Sequence, residues 1–162
     1  MIVLNSRLCE SYGSQDNPES PERLRKTYEL LSNSQSIEIL SRELYASEEE
    51  LLTIHSPNHL FRLKNSIEEN PDCPPYLDMY KYSSLAAGIA LAAAKISSSG
   101  HNSFSLMRPP GHHASRDKSM GFCYINNAAL ATVYLRNQRQ DRIAILDIDN
   151  HYGNGTQEIV TG

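Results

Sequence analysis

Short apolar runs in the chain each predict a buried strand, and they cover residues 2–4, 37–40, 103–106 and 143–146. Helical spacing of apolar residues, together with Ser and Pro start signals, predicts helices between and after the runs, at residues 21–32, 48–52, 57–67, 82–98, 126–135 and 156–160. Strands joined by crossovers of helical length form parallel sheets that helices cover on both faces. The pattern therefore predicts an α/β fold with three αβα layers and a mainly parallel sheet.

Acidic and histidine side chains follow the last apolar run. Asp147, Asp149 and His151 lie two residues apart, and on an extended backbone such side chains point the same way. In α/β sheets the carboxyl ends of the strands are where ligands bind. Two neighbouring carboxylates are unfavourable unless a cation lies between them, so this pattern predicts a metal site. The alternative is a solvated, Asp-rich turn.

A second polar stretch, RPPGHHA, contains adjacent histidines at His112 and His113. On a regular strand or helix they would not share a face, but a loop bounded by Pro and Gly lets both reach one cleft. Imidazole suits proton transfer at neutral pH. The pair by itself is also consistent with a surface or structural role. Together with the acidic cluster it predicts an acid–base and Lewis-acid site.

Three motifs in order, RPPGHHA, GFCYINNAAL and LDIDNHYGNGTQ, closely resemble the zinc-dependent histone deacetylase family. That family includes bacterial acetylpolyamine amidohydrolases and acetoin-utilisation relatives, and it shares the arginase-like fold. Its domain is about twice as long as this chain. The resemblance implies that residues 1–162 are the N-terminal portion of one such domain, truncated before the third zinc ligand and the transition-state tyrosine. A half sheet of this kind would expose a strand edge and an apolar face.

The resemblance also implies a role for each matching residue in the two polar motifs. Asp149 and His151 would be zinc ligands, and the third ligand would lie outside this chain. His113 would be the main general base and then acid, and His112 would adjust the charge beside it. Asp147 would orient a histidine of the pair and help to bind a potassium ion.

The substrate channel of the family has three matches in this chain. Gly121 and Phe122 would line a narrow apolar channel sized for an acyl-lysine. Asp72, in the tripeptide DCP, matches the aspartate that holds the substrate backbone at the channel mouth. The alternatives are a core role for Phe122 and a turn-forming role for Asp72.

The function implied is zinc-dependent hydrolysis of an acetyl or acyl amide on lysine or a polyamine by metal-activated water and the histidine pair. The alternative is an inactive, truncated fragment that serves as an interaction module. Either the missing C-terminal half or a dimer partner would then cover the open sheet edge. Ureohydrolysis at a dinuclear manganese site is a third hypothesis, and the histidine pair with GFCYINN disfavours it.

Composition narrows the classes of partner. The net charge of the 162 residues is −4 and no Lys/Arg cluster is present, which disfavours nucleic acid as a partner. The Cys count of 3 is odd and the spacing unpatterned, which indicates a reducing compartment, the cytoplasm. No apolar run approaches the roughly 20 residues of a membrane span, and the N-terminus lacks the pattern of a signal peptide.

Overall fold

The computed structural model describes residues 1–13, 15, 17–67, 70–139 and 142–161. Within these residues a three-stranded parallel sheet has the order β2-β1-β3, where β1 is Ile2–Asn5, β2 is Glu38–Ser41 and β3 is Ser103–Leu106. Neighbouring residues of a strand point to opposite faces of the sheet. Val3 and Leu4 are both buried, so both faces of β1 are covered. The predicted α/β class and parallel sheet are confirmed.

The helices of the described chain follow the predicted order closely: α1 Glu22–Ser32, α2 Glu48–Leu52, α3 Pro57–Lys64, α4 Met79–Ser98, α5 Asn127–Arg139 and α6 Asn154–Thr161. The predicted capping box of α2 is present, because Ser47 and Glu50 each accept the other's backbone amide. The α3 helix ends three residues before the predicted residue 67, since Ser66 has a φ of +54° that no helix continues through. None of these described helices is long and apolar enough to cross a membrane.

Residues 143–146, predicted as a buried strand, do not form one. Within the part of the chain that the structure describes, the sheet ends at β3, and this run pairs with no strand. Its side chains are exposed, with Leu146 at 86% and the following Ile148 at 90%. A parallel strand needs a neighbour that pairs its N–H and C=O groups, and apolar composition alone does not supply that neighbour.

Helix α4 lies at the centre of the packing and contacts β1, β3 and α5. Its Gly88 faces the backbone of residues 44–46, where a Cβ atom would lie 2.6 Å from the Ala46 nitrogen. The close approach requires glycine at this position. The two cores meet along α4, because Ala87 belongs to one buried cluster and Leu85 to the other.

We expect His55 to make the fold sensitive to mild acid. The ring is buried, accepts a hydrogen bond from the Asn126 amide at 3.1 Å, and lies 4.7 Å from the ring of His59. The pKa of His55 is lowered from 6.5 to about 4, mainly by burial and then by the charges of His59 and Arg116, while backbone carbonyls partly oppose the shift. Between these pH values the unfolded chain binds the proton more tightly. The contribution of neutral His55 to the free energy of unfolding is therefore fully present above pH 6.5. This contribution falls by about 3 kcal/mol as the pH approaches 4.

Urea unfolding at about pH 7 and about pH 4.5 measures this loss. His55→Gln keeps an acceptor for the Asn126 amide but does not titrate, so its stability should change less with pH than that of the parent protein. His101→Gln is the control, because His101 is exposed in the turn before β3. A His55→Gln variant that loses as much stability in acid as the parent would contradict the assignment.

Candidate functional site

The loop between β3 and α5 brings His112 and His113 together. Their ring centroids lie 4.0 Å apart, as the prediction of one shared cleft requires. The Ala114 amide donates to the Gly111 carbonyl at 3.0 Å, which closes a turn around the two histidines. The turn is what allows two adjacent side chains to lie on the same side of the backbone.

Turns, and not a strand, position Asp147, Asp149 and His151. The Asp149 amide donates to Asp147 Oδ1 at 3.1 Å, and the His151 amide donates to Asp149 Oδ1 at 2.8 Å. Each carboxylate thus binds the backbone two residues further along, which is the Asx-turn geometry. The strand periodicity from which the sequence predicts their convergence is therefore absent, and the turns pair Asp149 with His151.

The histidine loop and the acidic segment meet at a hydrogen bond of 2.9 Å between His112 Nδ1 and Asp147 Oδ2. Gly153 makes room for this pair, because a Cβ there would lie 2.6 Å from Asp147 Oδ2. The amide of Asp149 lowers the pKa of Asp147, and the bond to His112 lowers it further. Asp147 is therefore an ionised acceptor that orients the His112 ring.

His113 has a different partner, Asn154, which is the first residue of α6. The His113 Nδ1 to Asn154 Oδ1 distance is 2.7 Å. An amide oxygen only accepts, so Nδ1 of His113 carries the hydrogen, and in the neutral ring the lone pair is on Nε2. This is the tautomer that a general base requires. Sequence reasoning gave Asn154 no role, although the residue lies within the motif LDIDNHYGNGTQ.

Gly121 and Phe122 lie beside His113, in consecutive residues with φ values of +53° and +64°. A Cβ on Gly121 would collide with the imidazole of His113, so only glycine lets this segment pass the ring. The Phe122 amide donates to the Asp72 carbonyl at 3.0 Å, and the Asp72 side chain is exposed. Gly121 therefore lies against the His113 ring, and the Phe122 backbone connects this segment to Asp72.

Asp149 and His151 are the pair best placed to hold a metal ion. Asp149 Oδ1 lies 3.0 Å from His151 Nδ1, close to the ~3.4 Å between two ligand atoms on one tetrahedral zinc. Both side chains are open to solvent, with His151 at 74%. The backbone amide and then the side chain of His151 lower the pKa of Asp149. An ionised carboxylate with an imidazole is a donor set that zinc accepts, so the residues fit such an ion.

The ring of His113 lies 6.0 Å from that of His151, so the histidine pair faces the Asp149–His151 pair. Among the described residues no group of three His, Cys, Asp or Glu side chains converges as a complete metal site.

The histone deacetylase domain family matches residues 17–162. The chain belongs to the histone deacetylase family. The crystal structure of the HDA15 HD domain superposes with a TM-score of 0.84 at 29% identity, over 98% of this chain and 50% of that one. The arginase/deacetylase fold expected from the motifs is therefore confirmed.

Relatives within the histone deacetylase family match this chain over part of their own length. A histone deacetylase-like amidohydrolase of Pseudomonas aeruginosa is 35% identical over 91% of this chain and 40% of its own length. A probable deacetylase of Archaeoglobus fulgidus is 35% identical over 98% of this chain and 47% of its own length. The acetylpolyamine amidohydrolase of Mycoplana ramosa is 52% identical over 43% of this chain. The chain spans about half the length of the curated relatives that it matches along most of its sequence.

Proposed function

We propose that this chain supplies the first half of a zinc-dependent deacetylase domain, which hydrolyses an acetyl amide on a lysine or a polyamine. The observation that carries the proposal is the position of the His112–His113 pair next to the Asp149–His151 pair, with the rings of His113 and His151 6.0 Å apart. The resemblance to deacetylases and acetylpolyamine amidohydrolases supports amide hydrolysis as the reaction class. The three buried thiols suit a cytoplasmic setting.

Asp149 and His151 would hold the zinc ion, together with a third ligand from the rest of the domain. Zinc bound there supplies a Lewis acid, which polarises the acyl carbonyl and lowers the pKa of a bound water. Asp147 would help to bind a potassium ion, as the family resemblance implies, in addition to orienting His112.

His113 is the proposed general base. With Nδ1–H fixed on Asn154, its Nε2 accepts the proton of the attacking water and then returns a proton to the departing amine nitrogen. His112, held on Asp147, keeps a second polar group beside the reacting carbonyl. The products are acetate and the free amine.

Gly121 and Phe122 would form the wall along which the acyl chain approaches His113, and Asp72 would bind the substrate at the entrance. The positive φ values of Gly121 and Phe122 support this role, because this backbone conformation lets the segment pass beside the imidazole of His113 without covering the ring. An extended alkyl chain that ends in an acetylated amine, as in acetyl-lysine or an acetylpolyamine, fits such a wall.

An assay on an acetyl-lysine peptide and on an acetylated polyamine tests the proposal, with zinc added. The protein is assayed alone and after mixing with the separately produced second half of the Archaeoglobus fulgidus relative. Activity that appears on mixing, and disappears when either part is omitted, is the expected result. No turnover of either substrate in any combination would reject the reaction.

A non-catalytic interaction module is the second candidate. The exposed apolar side chains of Leu146 and Ile148 favour this candidate. A cleft of about 960 Å³ also favours it, and this cleft is lined by Ile143 and Ile145 together with residues of α5 and α6. Such a surface suits a protein partner or a second copy of the chain. A stable complex that forms with no turnover would favour this candidate.

We expect Asp149→Ala and His151→Ala each to weaken zinc binding by at least about tenfold, because loss of a neighbour that only orients a ligand already costs that much. Competition with a chromophoric chelator measures the affinity. Asp117→Ala and His101→Ala are matched controls, since both residues are exposed and lie outside the site. Equal zinc affinity in the Asp149 variant and its Asp117 control would remove Asp149 from the ligand set.

A further inference from the structure

We propose that Asn126 and Asn127 are positioning residues that hold the His112–His113 loop against the first turn of α6. The catalytic meaning of the inference rests on the proposed function, whereas the contacts themselves do not. Neither asparagine touches the predicted ligands, and the sequence motif gave them no role beyond the start of α5.

The two asparagines bind both ends of the histidine loop. Asn127 Nδ2 donates to the Pro109 carbonyl at 3.1 Å, and Asn126 Nδ2 donates to the Ala114 carbonyl at 3.0 Å. Between these anchors the loop passes very close to α5, because a Cβ on Gly111 would lie 2.6 Å from the Asn127 nitrogen. The backbone on either side of the histidines is thereby fixed to one rigid element.

Asn126 also connects the loop to α6. Its Nδ2 donates to Thr156 Oγ1 at 3.1 Å, and the Thr156 hydroxyl contacts Asn126 Oδ1 at 3.3 Å. The Thr156 amide donates to the His112 carbonyl at 3.0 Å. Because α6 begins at Asn154, which binds the His113 ring, the same network sets the position of both the ring and its partner.

Burial makes this network hard to replace. Asn126 is fully buried, and its Oδ1 also accepts the Ala129 amide at 3.0 Å, which caps α5. A buried polar group that loses its partner carries the full cost of desolvation. Proton transfer needs the base to stay within hydrogen-bond reach of its proton, so small displacements of the loop would reduce turnover.

NMR of the imidazole nitrogens tests the inference without metal or substrate. In Asn126→Asp, Asn127→Asp and Thr156→Val we expect the signals of His112 and His113 to shift. Hydrogen exchange at the amide of residue 156 should become about tenfold faster in Thr156→Val, because the bracing hydroxyl is absent. Thr156→Ser retains the hydroxyl and should restore parent-like signals. Thr156→Val introduces no charge. Its histidine signals therefore test the inference even if Asn126→Asp does not fold.

Two variants act as matched controls. Thr161→Val removes a hydroxyl that binds only the Gln157 carbonyl within α6, and Asn65→Asp changes an exposed amide on α3. Both should leave the histidine signals unchanged. Histidine signals of Thr156→Val and Asn127→Asp that superimpose on those of the parent would overturn the inference. Absence of turnover after mixing with the second half of the domain would reject the proposed function alone, because the NMR readout does not depend on turnover.

Discussion

Glu19→Ala should lower the free energy of unfolding by about 3–5 kcal/mol, because it leaves the guanidinium of Arg108 buried without its counter-ion. Arg108 Nε and Nη2 each lie 2.6 Å from a carboxylate oxygen of Glu19, in a two-point ion pair. Both side chains are buried, Arg108 at 3% and Glu19 at 6% exposed. Chemical denaturation at neutral pH measures the loss.

The surroundings of Arg108 explain why water cannot replace the carboxylate. The guanidinium donates to the Cys9 carbonyl at 2.7 Å and lies 4.2 Å from the ring of Tyr12. Burial alone would lower the pKa of Arg108, but its hydrogen bonds to Glu19 raise the pKa above its ordinary value. Burial and the Glu19 charge raise the pKa of Tyr12, so its hydroxyl stays neutral.

A surface pair provides the matched control. Glu22 and Arg25 on α1 also approach to 2.6 Å, but their side chains are 39% and 40% exposed. Removal of an exposed partner costs about 0–1 kcal/mol, so Glu22→Ala should have little effect. The double variant Glu19→Ala with Arg108→Met should regain part of the lost stability, since no buried charge remains unpaired. Equal losses for Glu19→Ala and Glu22→Ala would contradict the argument.

The ion pair also bears on the site, because Arg108 lies four residues before His112. It fixes the start of the histidine loop to the N-terminal segment, while Asn126 and Asn127 fix the loop to α5. The backbone of the histidine loop is thus held in place by the fold itself, without a substrate. Such preorganisation favours catalysis, because the reacting groups need not be ordered during the reaction.

The parts of the fold that local patterns determine were predictable from the sequence. The first three strands and the helices depend on apolar spacing, caps and breakers near in sequence, as in the Ser47–Glu50 capping box of α2. Residues 143–146 carry the same kind of signal, yet their state depends on a strand neighbour that the pattern does not specify. The prediction that this apolar run forms a buried strand is therefore wrong.

The candidate site residues could be selected from the sequence, but the contacts that hold them in place could not. His112, His113, Asp149 and His151 were found because their residue types are unusual in close succession. The supporting residues are common polar types: Asn154, Asn126 and Glu19. Each makes its contact with a residue that is 30 to 89 positions away in the sequence. No periodicity or short motif encodes contacts of that separation.

His113→Ala should reduce kcat by about 10²–10⁴-fold, the usual contribution of a positioned general base, with little change in KM. The measurement uses the protein together with the second half of the domain, on an acetylated substrate in excess zinc. Asn154 binds Nδ1 of His113, so the proton acceptor of the neutral ring is Nε2. Among the described residues, His113 is the imidazole that lies against Gly121. The substitution removes that proton acceptor and leaves the Asp149–His151 pair in place.

Two comparisons make the His113 result specific. His101→Ala, at an exposed position outside the site, should keep parent-like turnover. His112→Ala should cost less than His113→Ala, because the bond to the ionised carboxylate of Asp147 gives His112 an electrostatic role and not that of the main proton acceptor. A larger loss of kcat in His112→Ala than in His113→Ala would exchange the two roles. Unchanged zinc affinity in both variants would show that the loss belongs to proton transfer, since neither histidine is a proposed ligand.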